Sequence, residues 1–281
     1  MLAVLAGFIG EGKQWPTRRC HGHDSTVIQT GRVRQSDPPG ESRRVKKRYV
    51  ALVIVVALVM GSERWDGPFT FESLQRAGAE ATGATPDDEL SEREVGEVYL
   101  TFDDGPHLTW TPAVLDVLAQ HRSTATFFPI GNQVDGGAEL LRRAVEDGHK
   151  IGNHTWDHDR LVGIAPTAFD LSVGRTRDAI RRATGVAPTC LRPPQGVIDD
   201  ATRELAVSAG LSVELWTIDP QDWTEPGAGA IVDDVIGQVD AGAVILLHDG
   251  GGDRGQTVRA VDELLDRLGR AGFSFRALPG C

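Results

Sequence analysis

Two adjacent carboxylates, Asp103 and Asp104, stand in the stretch Thr101-Phe102-Asp103-Asp104-Gly105-Pro106. A second stretch, His154-Thr155-Trp156-Asp157-His158, sets two imidazoles four residues apart. At that spacing, on one helical turn or a tight loop, both rings face a single point and suit one cation. Imidazole nitrogen with one carboxylate is a donor set for zinc or a similar first-row ion, and three protein ligands leave a position open for water. Each stretch also has a plainer reading. Asp-Gly and Gly-Pro are ordinary turn punctuation, and two histidines at this spacing occur by chance on solvated helices. The positions of the remaining polar residues decide between the readings.

From residue 97 the chain alternates strand-like and helix-like stretches. Residues 98–102, 124–130, 150–153, 190–193, 212–218, 243–247 and 273–277 read as strands. Residues 112–120, 140–146, 167–184, 201–209, 231–239 and 257–268 carry helical apolar spacing. The run Ala243–Leu247 is apolar without alternation, as expected of a parallel strand buried on both faces. This alternation implies an α/β fold, a (β/α)7-type barrel of parallel strands, whose chemistry sits at the strands' C-terminal ends. The polar residues that stand out all fall there: Asp103 and Asp104, His154 and His158, Arg192, Asp219 and Asp222, His248 and Asp249. Five strands deliver them to one rim, which favours a chemical site over a set of turns.

The motifs Thr-Phe-Asp-Asp-Gly (101–105), His-Thr-x-x-His (154–158), Arg-Pro-Pro-x-Gly (192–196), Asp-x-x-Asp-Trp (219–223) and Leu-Leu-His-Asp (246–249) stand in the order seen in polysaccharide deacetylases. Residues 97–278 resemble this carbohydrate esterase family 4 group, which includes peptidoglycan and chitin-oligomer N-deacetylases. The resemblance implies a distorted barrel and a set of roles. Asp104, His154 and His158 would hold a divalent metal, zinc above all, with cobalt or another first-row ion as alternatives. Asp103 would be the general base acting on a water that the metal acidifies. His248 would be the acid that protonates the leaving amine. Arg192 would orient Asp103, and Asp222 would orient His248 and favour imidazolium. Pro194, Gln195 and Trp223 would touch substrate, with a backbone N–H near Pro194-Gln195 stabilising the oxyanion. Trp223 can equally be an ordinary core residue. One position departs from the family pattern: Gln195 stands where an aromatic residue, most often Tyr, is usual. A backbone donor survives that change; a substrate-facing wall does not. The implied activity is release of acetate from an N-acetylglucosamine-containing glycan by a monomeric enzyme. The alternatives are an O-acetyl esterase acting on acetylated xylan, and a catalytically weakened glycan-binding protein.

Charge narrows the partners. Residues 1–48 carry ten Lys/Arg and four Asp/Glu, leaving 19 and 36 in the remainder, a net −17. So acidic a body makes a poor nucleic-acid binder, because phosphate contacts need Lys and Arg. The run Asp249-Gly250-Gly251-Gly252-Asp253-Arg254 lacks the Gly-Lys-Ser/Thr ending of a phosphate loop, so no nucleotide site is expected. His107, His121 and His149 match no motif and read as loop or structural residues.

Ahead of the deacetylase-like domain (97–281), Arg43-Arg44-Val45-Lys46-Lys47-Arg48 precedes the apolar run Tyr49 to Met60. Twelve residues are too few to span a bilayer as a helix, but a basic stretch before such a run is what a secretory signal looks like. Residues 45–61 are therefore expected to be a signal peptide or membrane anchor, with membrane contact confined to 49–61. Residues 1–44 would be unstructured or an extension upstream of a true start at Val45, and 62–96 an acidic flexible spacer. The protein is expected outside the cell or on its surface. In that compartment Cys190 and Cys281 can form a disulfide pinning the C-terminal tail to the barrel; two free thiols are the alternative.

Overall fold

The computed structural model describes Leu90 and residues 93–281. The expectations for residues 1–44, for the apolar run and for most of the 62–96 spacer lie outside the described residues. No helix among the described residues is long and apolar enough to cross a membrane.

Seven strands follow the expected positions: β1 (Glu97–Asp103), β2 (Thr126–Phe128), β3 (Lys150–Ile151), β4 (Cys190–Leu191), β5 (Ser212–Val213), β6 (Val244–His248) and β7 (Ser274–Phe275). Between them lie α1 (Trp110–Gln120), α2 (Ala138–Glu146), α3 (Pro166–Phe169), α4 (Arg175–Thr184), α5 (Asp200–Ser208), α6 (Ala228–Gln238) and α7 (Gly255–Arg270). Every strand pairing among the described residues is parallel. One sheet runs β3-β2-β1-β6, and β4 pairs separately with β5. Single parallel bridges, Asn153↔Leu191 and Ile218↔Ile245, join the two sheets and close the ring.

The seventh strand does not take a place of its own in that ring. β7 pairs with Glu97 and Val98, at the start of β1, while β2 pairs with Thr101–Asp103 further along. The chain then continues against β2, where the Ala277 and Leu278 N–H groups donate to the Thr124 and Thr126 hydroxyls. β7 is thus a wedge between the bases of β1 and β2, and the barrel is distorted, as the family resemblance implied.

Strand alternation sorts the two faces of β1. Leu100 and Phe102 are fully buried against a layer that includes Val114 and Leu118 of α1 and Leu264 of α7. Thr101 and Asp103 face the other way, into the barrel, and are also buried. Burial of apolar residues against the helices stabilises the barrel by about 25 cal/mol per Å² removed from water, and leaves its interior free for polar groups. The stretch expected as one helix, 167–184, is broken: Asp170–Gly174 widens into a π turn between α3 and α4. There the Val173 carbonyl accepts from Asn153 Nδ2, and the Ser172 hydroxyl accepts from the Trp156 N–H. A regular helix would keep the Val173 carbonyl in its own ladder, so the bulge ties the helix to the loop after β3.

Cys190 and Cys281 form a disulfide closing a span of 91 residues. It fixes the C-terminus beneath β4, beside Phe128 and Leu278.

Candidate active site

The carboxylates that open the site leave β1 in different directions. Asp103 ends the strand with its side chain inside the barrel, and Asp104 turns into the left-handed region at φ 70°. Asp tolerates that conformation better than most residues, and the turn brings both acids to one mouth. The neighbouring chain is shaped to it: a Cβ on Gly250 would overlap the Asp104 carbonyl, and one on Gly105 would overlap the Asp249 carboxylate. The glycine run after β6 is therefore packing for the Asp104 turn rather than a phosphate cradle.

His154 and His158 arrive on the loop after β3, with Thr155 and His158 also at positive φ. Their Nε2 atoms lie 3.5 and 3.6 Å from Asp104 Oδ1, and the three ligand atoms lie within 4.8 Å of one another. His154 is buried and its Nδ1 is 2.8 Å from the Arg192 carbonyl, an acceptor, so Nδ1 carries the proton and Nε2 the lone pair. Burial holds the His154 pKa below the ordinary imidazole value, against the pull of Asp103 and Asp104. A neutral nitrogen lone pair thus faces a carboxylate oxygen that is itself buried and has no hydrogen-bond donor. Two acceptors turned on each other are stable around a cation, so Asp104, His154 and His158 fit a divalent metal.

Arg192 occupies the barrel interior at zero exposure. Its Nη1 donates to Asp103 Oδ1 at 3.0 Å and to the Thr101 hydroxyl at 2.6 Å, while Nε and Nη2 donate to the carbonyls of Glu214 and Leu215. The guanidinium also lies 4.2 Å from the Phe128 ring centre. A buried charge is tolerable only when so paired, and the pairing leaves Asp103 one oxygen, Oδ2, 3.7 Å from His154 Nε2. Asp103 therefore stands beside the three-residue cluster with one oxygen committed to Arg192.

His248 is the register partner of Asp103 on the adjacent strand, so the two side chains enter the barrel side by side. Its Nδ1 is 2.7 Å from Asp222 Oδ1. Asp222 is fully buried and also accepts from the His248 N–H and the Thr257 hydroxyl through Oδ2. Burial alone lowers the His248 pKa, but the Asp222 hydrogen bond and charge, with Asp103 and Asp104, outweigh it, and the pKa is raised. The turn after β4 holds Pro194 buried and Gln195 exposed at φ 60°. The N–H groups of Gly196 and Val197 donate to Pro193 and Pro194, whereas that of Gln195 donates to no protein group among the described residues. Trp223 is 55% exposed, which excludes the core reading and leaves its ring free at the rim.

The ten residues to which the resemblance gives roles thus lie on the loops and strand ends of one rim. Asp219 does not join them; its carboxylate caps a turn by accepting from the Gln221 N–H. His107 accepts from backbone N–H groups at the start of α1, His121 pairs with Asp262 on the surface, and His149 packs on Phe127. Sequence reasoning passed over Thr101 and Thr257, which hold Arg192 and Asp222. Thr101 was within reach: it lies two residues before Asp103 and so shares its face. Asp249, which the sequence places at the rim without a role, is fully interior beside the Thr111 hydroxyl, with its pKa raised to about 7 by burial.

The chain matches the family described as polysaccharide deacetylase over residues 91–213. It is 42% identical over 194 residues to a chitooligosaccharide deacetylase of a Bradyrhizobium strain, covering 65% of this chain and 89% of that protein. The chain belongs to the polysaccharide deacetylase family. A peptidoglycan-N-acetylglucosamine deacetylase of Bacillus cereus is 38% identical over 180 residues, 63% of this chain and 84% of that one. Among solved structures, the peptidoglycan deacetylase PdaC from Bacillus subtilis superposes with a TM-score of 0.60 at 34% identity, over 67% of this chain and 89% of the other. Membership in the deacetylase family matches the barrel and the cation-binding donor set found here.

Proposed function

We propose that this deacetylase removes N-acetyl groups from a glycan containing N-acetylglucosamine, peptidoglycan or a chitin oligomer, releasing acetate outside the cell. The observation that carries the reading is the pairing of Asp103 and His248 on adjacent strands, one tied to Arg192 and the other to Asp222, beside a cation-binding triad. Amide hydrolysis needs a base for the attacking water and an acid for the departing nitrogen, and these two residues supply both.

A zinc ion, or a similar first-row ion, held by Asp104, His154 and His158 would polarise the acetyl carbonyl and acidify water. Asp103, oriented by Arg192, accepts the proton of the water that adds to the carbonyl carbon. The Gln195 N–H donates to the carbonyl oxygen as negative charge develops there. His248, held as imidazolium by Asp222, gives its proton to the nitrogen as the C–N bond breaks. Acetate leaves, and the sugar keeps a free amine. Trp223 offers its ring to the acetyl methyl or to the sugar face.

The deciding experiment measures acetate from peptidoglycan, chitin oligomers and acetylxylan, before and after chelation, with zinc or cobalt restored. Release from the first two, lost on chelation and regained with metal, is expected. Release from acetylxylan alone would make the protein an O-acetyl esterase, and no release from any substrate would make it a glycan-binding protein.

A further inference from the structure

The residue that departs from the family pattern has a partner. Gln195 Oε1 accepts from Arg160 Nε at 3.0 Å, linking the loop after β4 to the loop after β3. Arg160 is exposed and lies two residues past His158, on the loop that carries two of the three candidate metal ligands. It forms no ion pair among the described residues. Its acidic neighbours are engaged elsewhere: Asp157 accepts from Asn132 and Asp159 from Ser172. A single Nε contact leaves the end edge of the guanidinium, between its two Nη groups, without a protein partner among the described residues. Beneath the pair, the Gly196 backbone lies against the Trp216 ring so closely that a Cβ would overlap it, which fixes the height of the Gln195 turn.

We propose that Arg160, positioned by Gln195, is a recognition point for an anionic substituent of the glycan, a carboxylate carried by a sugar next to the reacting N-acetylglucosamine. A planar guanidinium with a free edge takes a carboxylate in bidentate fashion, and a body of net −17 from residue 49 onward otherwise repels an anionic polymer. An aromatic residue at 195 gives a stacking wall; a Gln there gives an acceptor that holds a cation. The substrate class selected is the acidic, muramic-acid-containing strand of peptidoglycan over neutral chitin. This rests on the deacetylase reading, and extends it to substrate choice.

The test compares kcat/KM for acetate release from three substrates by the zinc-loaded wild type and the R160Q, R160K and Q195A variants. The substrates are chitotetraose, a peptide-free N-acetylglucosamine–N-acetylmuramic acid tetrasaccharide, and the same strand bearing stem peptides. In R160Q the preference for acidic over neutral substrate should fall about fivefold, in KM more than kcat, the size of one solvent-facing ion pair. R160K should restore part of it, and Q195A should lose part of it. A fall on the peptide-free strand assigns the lactyl carboxylate; a fall only on the peptide-bearing strand assigns the stem carboxylates. Equal loss on chitotetraose and both acidic strands, or no change on any, overturns the proposal while leaving deacetylation standing. Absence of acetate from all three with wild type overturns the deacetylase reading instead.

Discussion

Replacing Asp222 with Asn isolates the acid half of the site. The carboxylate sits 2.7 Å from His248 Nδ1 and is fully buried, so its charge acts on the imidazole with little solvent screening. The two influences on His248 oppose each other: burial lowers its pKa, and Asp222 with the two opening acids raises it. Asn preserves shape and one acceptor oxygen, and removes the charge. A hydrogen bond to a charged partner contributes about 1.5–3 kcal/mol, and about 1.36 kcal/mol corresponds to one pKa unit. The His248 pKa should therefore fall in D222N. Because His248 must be protonated to serve as the acid, the alkaline limb of kcat/KM should move down in pH. Above both limbs the variant should be about 10–100-fold slower, and at the acidic end the two enzymes should converge. The assay is acetate release from one substrate across pH 5 to 9 or so, with bound metal measured in both proteins. A variant uniformly slow at every pH, with its alkaline limb unmoved and its metal retained, would refute the assignment of His248 as an acid tuned by Asp222.

Asp103→Asn should abolish turnover while retaining stoichiometric metal, whereas His154→Ala should lose both; metal content and acetate release on the two purified variants check this, and equal metal loss contradicts the division between Asp103 and Asp104. His149 is buried with its pKa pushed down to about 4, burial outweighing Asp147. The unfolded chain takes up that proton first, so stability present above about pH 6.5 falls as pH drops toward 4, by about 2 kcal/mol at pH 5. Urea unfolding of the metal-free protein at pH 5 and 7.5 should show this loss, and His149→Asn should show less of it; identical losses would remove His149 as the cause. Cys281→Ser opens a 91-residue loop and should cost roughly 2–5 kcal/mol in denaturant unfolding under non-reducing conditions, with a difference under 0.5 kcal/mol or so counting against the disulfide.

Much of this molecule is legible from residue types because its polar side chains and its apolar runs obey different rules. The runs ending at Phe102, Asn153, Pro193 and Leu247 place strand ends within a residue or two, and each end carries a charged or imidazole group; the run to Ile218 overshoots, because β5 ends at Val213 and Ile218 makes only a single bridge. What spacing does not reveal is pairing between distant segments. The β7 wedge follows from hydrogen bonds to Thr124 and Thr126, which no local pattern announces. The π turn in 170–174 follows from the tie between Asn153 and Val173. The Arg160–Gln195 contact joins residues 35 apart in sequence; from the sequence alone Gln195 reads as a lost ring, because its compensating partner lies on another loop. Asp104 is legible as a candidate ligand, but its left-handed turn depends on close packing against Gly250, far along the chain.

The barrel is held unevenly around its circumference, with continuous ladders along β3-β2-β1-β6, a short ladder between β4 and β5, and only one bridge at each of the two junctions between these sheets, Asn153↔Leu191 and Ile218↔Ile245. Those thin junctions flank the segments bearing His154, Arg192 and Asp222, whereas Asp103 and His248 share the thickest ladder. Paired strands thus hold Asp103 and His248 in register, whereas Arg192 and Asp222 reach them from segments joined to that sheet by single bridges and by side chains. The Arg192–Asp103 and Asp222–His248 contacts therefore also tie the two sheets together across the barrel, so that any shift of β4 and β5 would be felt at both Asp103 and His248.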